Sequence, residues 1–157
     1  MKTRFLLIIA SFSISVSAQK FEHFKVDTFC NFGWRLYSIA DTSSIPGVNG
    51  MAGDYSGSIR KMIINTSQTL PKDIKETLSK QDIILSFLFN KKGEVFKIIF
   101  RGDIEERIPL TDEQWLVIFD AIRKLKIDLS KLILLDNFEW GSGGTYPISK
   151  YIREAKN

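Results

Sequence analysis

The sequence predicts an α+β domain: an antiparallel sheet with a central hairpin, packed against two or three helices. Three observations predict it. Residues 82–90 (DIILSFLFN) and 94–101 (EVFKIIFR) are β-branched and aromatic runs on either side of a turn. Thr111 opens an amphipathic stretch behind a capping signature. Residues 58–80 hold two short segments with apolar side chains at helical spacing.

Taken in order, residues 21–40 are aromatic-rich, and WRLYSIA places Trp34, Leu36 and Ala40 on one parity, which predicts a short strand. Residues 41–57 hold Gly47, Gly50, Gly53 and Gly57 with Pro46 and several serines, and predict a long loop. Ser58 is the expected cap of a helix carrying Ile59, Met62 and Ile63 on one face. Pro71 suits the first position of a second helix, where its missing N–H costs nothing; Leu70, Ile74 and Leu78 then form one stripe. In the first hairpin strand Ile83, Leu85, Phe87 and Phe89 face one side, and Ile84 and Leu88 the other. Apolar residues on both faces predict a central strand. Asn90-Lys91-Lys92-Gly93 is the turn, with Gly93 able to adopt a left-handed conformation. The second strand should place Phe96, Ile98 and Phe100 on one face and Lys97 and Arg101 on the other.

Thr111 and Gln114 match a capping box, and Trp115, Ile118, Phe119, Ile122 and Leu125 give a core face running to about Lys126. LSKLILLDNFEW predicts a helical turn and then a strand. GSGG at 141–144 predicts a flexible break. YPISKYIREA reads as strand or short helix, with Ile148, Tyr151 and Ile152 favouring the helix.

The first eighteen residues, MKTRFLLIIASFSISVSA, have a charged start, an apolar run and small residues at Val16 and Ala18. This is the build of a secretory signal peptide cleaved after Ala18. The apolar run is about a dozen residues, short of the roughly 20 a spanning helix needs. A single domain at 19–157 is expected to remain, in the periplasm or outside the cell, with no transmembrane helix. The whole chain of 157 residues carries +4, but Lys2 and Arg4 leave with the leader. Twenty basic against 18 acidic residues then give +2. No Lys/Arg block remains to suggest nucleic acid as a partner. A hydrophobic content of 44% with 25% charged residues excludes a disordered or collagen-like chain.

The catalytic repertoire is thin. One His and one Cys exclude a zinc site of the usual ligands and an internal disulfide framework. His23 lies five residues from the new N-terminus, in a segment expected to fray, which argues against a general base. Cys30 sits among aromatics and reads as a buried thiol, the alternative being a pair between chains. Asp103, Glu105 and Glu106 lack the calcium-loop ligand series and read as a solvated loop. GVNGMAG matches neither the P-loop nor the dinucleotide fingerprint. No cofactor and no metal are expected.

What remains is a surface. Asp54 and Tyr55, and Trp140 and Tyr146, place aromatics beside glycine-rich breaks, where exposed rings anchor binding. For Trp140 and Tyr146 the competing reading is packing at the core's edge.

Residues 59–126 resemble the C-terminal domain of the TonB family. Leu70-Pro71, Lys92-Gly93 and the helix from Thr111 to Lys126 stand where that family has a Tyr-Pro, a hairpin turn and a helix. The family's Trp-x-Pro is replaced after Trp140 by GSGGTYP. The resemblance implies a fold rather than an energy-transducing role. The serine-rich leader ending in Ala-Gln, with a small aromatic-rich domain, also resembles uncharacterised exported proteins of Bacteroidota.

The expected function is a non-catalytic interaction module that binds another cell-envelope protein through a sheet edge or the 41–57 loop. A small-ligand or glycan-binding domain using Tyr55, Trp140 or Tyr146 is the alternative. A carboxylate-based hydrolase is the third reading; it needs two acids converging in a cleft.

Overall fold

The computed structural model describes residues 21–29, 33–41, 51–53, 57–103 and 108–155. Strands β1 (Phe24–Phe29) and β2 (Gly33–Ser38) are followed by a 3-10 turn at Ile39–Asp41 and strand β3 (Met51–Gly53). Helices α1 (Ser58–Thr69) and α2 (Lys72–Leu78) lead into strands β4 (Ile84–Asn90) and β5 (Val95–Asp103). Helix α3 (Asp112–Arg123), a 3-10 turn at Leu129–Lys131, strands β6 (Ile133–Leu134) and β7 (Trp140–Pro147), and helix α4 (Ile148–Glu154) complete the order. Five strands form an antiparallel sheet in the order β1-β2-β5-β4-β7, while β3 and β6 pair separately. The α+β class, the antiparallel sheet and its central hairpin are as the sequence predicts, and the described residues hold four α-helices.

One core joins the sheet to the helices. Leu36, Leu85, Phe87, Phe89, Ile98 and Phe100 supply the sheet side, and Ile59, Ile63, Ile74, Trp115 and Ile152 the helix side. All are fully buried or nearly so. Alternation along each strand sends the intervening residues to the opposite face. The predicted faces of β4 hold: Ile83, Leu85, Phe87 and Phe89 are buried, while Ile84 and Leu88 are half-exposed. In β5 a bulge changes the prediction. Leu88 pairs with Lys97 but Phe89 pairs with Val95, so Phe96 is the extra residue. Val95 therefore enters the core, and Phe96 is left half-buried.

Several expected boundaries move. The aromatic segment 21–40 forms two paired strands, not one, because Lys25 and Asp27 alternate with Phe24 and Val26 as a half-buried strand requires. Gly57, not Ser58, takes the cap position of α1, and Ser58 is the first helical residue. Pro71 is likewise the cap of α2 rather than its first residue. Within 41–57, Asp41 closes the 3-10 turn and Met51–Gly53 pair with β6; residues 42–50 and 54–56 lie outside the described residues. Residues 141–144, expected as a break, are the middle of β7. Gly143 is needed there because a Cβ would sit 2.1 Å from the Phe87 ring. Residues 148–154 are helix. Ser149 in its first turn accepts the Ile83 N–H at 3.0 Å, tying α4 to the start of β4.

Helix α3 has the predicted capping box. The Thr111 hydroxyl accepts the Gln114 N–H, and Gln114 Oε1 accepts the Thr111 N–H. Gln114 Nε2 also donates to Asp73 on α2 at 2.9 Å. Both ends of the helix are tied to the β1–β2 unit. Asp112 pairs with the His23 imidazole, and Arg123 donates to buried Asp41 at 2.8 Å. His23 is thus held at the start of β1, where the sequence predicts fraying. The tie is a charged hydrogen bond across 89 residues of chain, which local sequence does not display.

Two predictions follow from these contacts. Gly93 has φ 73°, and a Cβ there would meet the Ile127 carbonyl oxygen at 2.2 Å. Gly93→Ala should lose about 2–4 kcal/mol, combining left-handed strain with overpacking; a loss under about 1 kcal/mol in urea unfolding would contradict this. The hydrogen bond to Asp112 raises the His23 pKa above its ordinary value. Its stabilisation is therefore complete below the unfolded value of about 6.5 and is lost as pH climbs through the raised folded value. A carbon-detected imidazole titration should place His23 above 6.5, and Asp112→Asn should return it there. An unshifted wild-type imidazole would refute the pairing.

Candidate functional site

The face of the sheet opposite the core is polar on its β1-β2-β5 half. Register places Lys25 opposite Tyr37, Asp27 opposite Arg35, and Tyr37 opposite Ile99. Antiparallel partners share a face, so these side chains form one surface. They line a cleft of about 360 Å³, bordered by Lys97 and by Asp41 from the 3-10 turn.

Arg35 is the rigid element. Its Nε and Nη2 donate to the two Asp27 carboxylate oxygens at 2.7 and 2.9 Å, a bidentate fork. The Tyr37 hydroxyl donates to the same carboxylate at 3.4 Å. The fork answers a local problem, since Arg35 stands directly opposite Arg101 on β5. Arg101 in turn donates to Ser86 at 2.8 Å. Asp41 is 6% exposed and burial pushes its carboxyl above the ordinary value, opposed by the charge of Arg123. With Asp27 and Asp41 each matched by an arginine, Lys25 and Lys97 supply the uncompensated charge of the cleft. Neither side chain makes a hydrogen bond with the described residues.

Asp27 and Asp41 are also the acids that a carboxylate hydrolase would draw on here. Each is hydrogen-bonded to an arginine, which neither gives nor takes a proton near neutrality. Among the described residues, no group of three or more His, Cys, Asp or Glu could hold a metal ion.

The strand beside the cleft is an open edge. Ile39 N–H donates to His23 C=O at 3.0 Å, which fixes 23 and 39 as a bonded pair. Bonded and non-bonded pairs alternate in an antiparallel ladder, so Lys25 and Asp27 bond β2. Phe24, Val26 and Thr28 turn their N–H and C=O groups away from β2. Among the described residues, no strand lies on that side in the sheet order. Val26 is 38% exposed. The opposite edge is different. Strand β7 carries a bulge opposite Ser86–Leu88 and ends in Pro147, two features that blunt strand addition.

Of the residues expected to bind, Trp140 and Tyr146 are not at this cleft. Trp140 opens β7 opposite Asn90, and Tyr146 lies near its other end opposite Leu85. Tyr146 stacks on Phe87 with centroids 6.2 Å apart, and its hydroxyl donates to the Gly143 carbonyl. It packs at the edge of the core, half-buried. Asp54 and Tyr55 lie outside the described residues, as does Cys30. The cleft residues Lys25, Arg35, Tyr37 and Lys97 carry no motif. Their one signal is parity: placing Trp34 and Leu36 inward already turns Arg35 and Tyr37 outward.

No helix among the described residues is long and apolar enough to cross a membrane. No protein-family model matches the chain, and no curated protein is significantly similar to it. Among solved structures, the chain is similar to the crystal structure of a DUF5043 family protein from Bacteroides uniformis. The TM-score is 0.50 at 15% identity, over 78% of this chain and 83% of that one, a likeness of fold.

Proposed function

We propose that the chain is a non-catalytic interaction module of the cell envelope, which accepts an extended strand of a partner chain along the edge of β1. The observation that carries the reading is the row of outward backbone groups at Phe24, Val26 and Thr28. An unpaired edge of this kind is a template for a further strand, and main-chain bonds then supply affinity. Strand β7 lacks that opportunity because of its bulge and Pro147. The envelope setting rests on the signal-peptide build of residues 1–18. A second reading, an anionic small ligand in the cleft, is favoured by Lys25 and Lys97 beside the rigid Arg35.

Export is tested directly: the protein recovered from cells should begin at Gln19 by mass spectrometry, and recovery with Met1 intact would remove the envelope setting. The edge is tested with Val26→Pro. The Val26 N–H faces away from β2, so proline removes an edge donor without breaking the β1–β2 ladder. The variant should melt close to wild type and lose at least about tenfold in affinity for the partner, every 1.4 kcal/mol being tenfold. A partner retained equally by both proteins would place binding elsewhere.

A further inference from the structure

We infer that the strand added to β1 is β1 of a second copy of this chain, paired antiparallel about a two-fold axis at Val26. The inference rests on the reading of β1 as an open edge and names its occupant. The argument is one of register. Among the described residues of β1, Phe24, Val26 and Thr28 present the outward backbone groups, so these must face their equivalents in an added strand. Three antiparallel self-registers meet that condition with substantial overlap. One places Lys25 against the partner's Lys25. Another places Asp27 against the partner's Asp27. Each sets like charges directly opposite, which opposes pairing. The third is centred on Val26 and places Lys25 against the partner's Asp27, twice, through the symmetry.

The same register serves both faces of the joined sheet. Val26, 38% exposed and on the helix-side face, meets the partner's Val26 and closes an apolar gap. On the other face, the partner's Lys25 reaches Asp27, which Arg35 already holds in a fixed position. A fixed carboxylate gains a second cation with little further ordering. The Lys25 side chain has no hydrogen bond among the described residues of its own chain, so its pairing breaks no such contact. The contact is isologous, as a two-fold requires, and it closes, because among the described residues the five-stranded sheet of each copy then has only the blunted β7 edge left. The two clefts come to lie side by side across the axis and form one basic surface.

The test is sedimentation equilibrium of the purified protein from about 10 μM to about 1 mM, a range that captures a small edge interface. The wild type should move from monomer to dimer mass with concentration. Lys25→Asp and Asp27→Lys should each stay monomeric, since each restores like charges across the axis. An equimolar mixture of the two should dimerise, because every opposing pair is then complementary. Thermal melts check folding. If Asp27→Lys fails to fold without its Arg35 partner, Lys25→Asp and Val26→Pro decide the matter, and both should be monomeric. A wild type that stays monomeric to about 1 mM overturns the inference, and so does a dimer that survives Lys25→Asp. A monomer whose binding to a different envelope protein is lost in Val26→Pro would overturn self-pairing and leave the open-edge reading standing.

Discussion

The packing of α3 on the sheet is the contact on which the rest depends. Trp115, wholly buried, meets Phe100 at 4.8 Å and Trp34 at 6.3 Å edge-on. Phe119 extends the cluster to Phe100 at 5.3 Å and to Phe24 at 4.5 Å. These few rings join β1, β2 and β5 to one helix. Aromatic pairs of this kind add about 0.5–1.5 kcal/mol each beyond their burial. An edge strand has only one neighbour, so β1 relies on Phe24 for its place. The indole N–H groups of Trp34 and Trp115 are buried without partners among the described residues, a cost of about 1–3 kcal/mol each. The volume these rings fill offsets it.

Sealing one face of the sheet determines the character of the other. Each residue driven inward by the aromatic cluster leaves its neighbour pointing out. Trp34 and Leu36 inward mean Arg35 and Tyr37 outward; Ile98 and Phe100 inward mean Lys97, Ile99 and Arg101 outward. A charged outer face then needs internal neutralisation. The Asp27 fork on Arg35 and the Ser86 contact of Arg101 keep two opposed guanidinium groups compatible. The open face is thus ordered by electrostatics on a scaffold ordered by packing. The two ties at the ends of α3, His23–Asp112 and Asp41–Arg123, couple the layers at the cleft's border.

The two edges of the sheet follow different logics. In β7, Gly143 makes room for Phe87, and the bulge beside it disturbs the ladder. The same local feature that lets a large ring pack also disfavours a further strand. Strand β1 has regular pairing with β2 throughout its six residues and no such irregularity. Fold likeness to the DUF5043 protein from Bacteroides uniformis at 15% identity extends to the chain's architecture. It carries no residue roles.

Sequence by itself determined what depends on near neighbours. The β4–β5 hairpin with its Gly93 turn, the capping box at Thr111, the buried stripes of α1, α2 and α3, and the helix at 148–154 all follow from spacing within about a dozen residues. Contacts distant in the chain decide the rest. Phe96 lost its core position to a bulge set by pairing with β4, and 141–144 became strand because β4 and Phe87 receive it. His23 was held by Asp112, a residue 89 positions away. The cleft was legible only as parity: the sequence shows that Lys25, Asp27, Arg35 and Tyr37 alternate with inward residues, but only the strand order β1-β2-β5 brings them beside Lys97. That difference has one physical cause. Periodicity and capping are short-range properties of the backbone, whereas a site made across three strands exists only once long-range pairing has set the register.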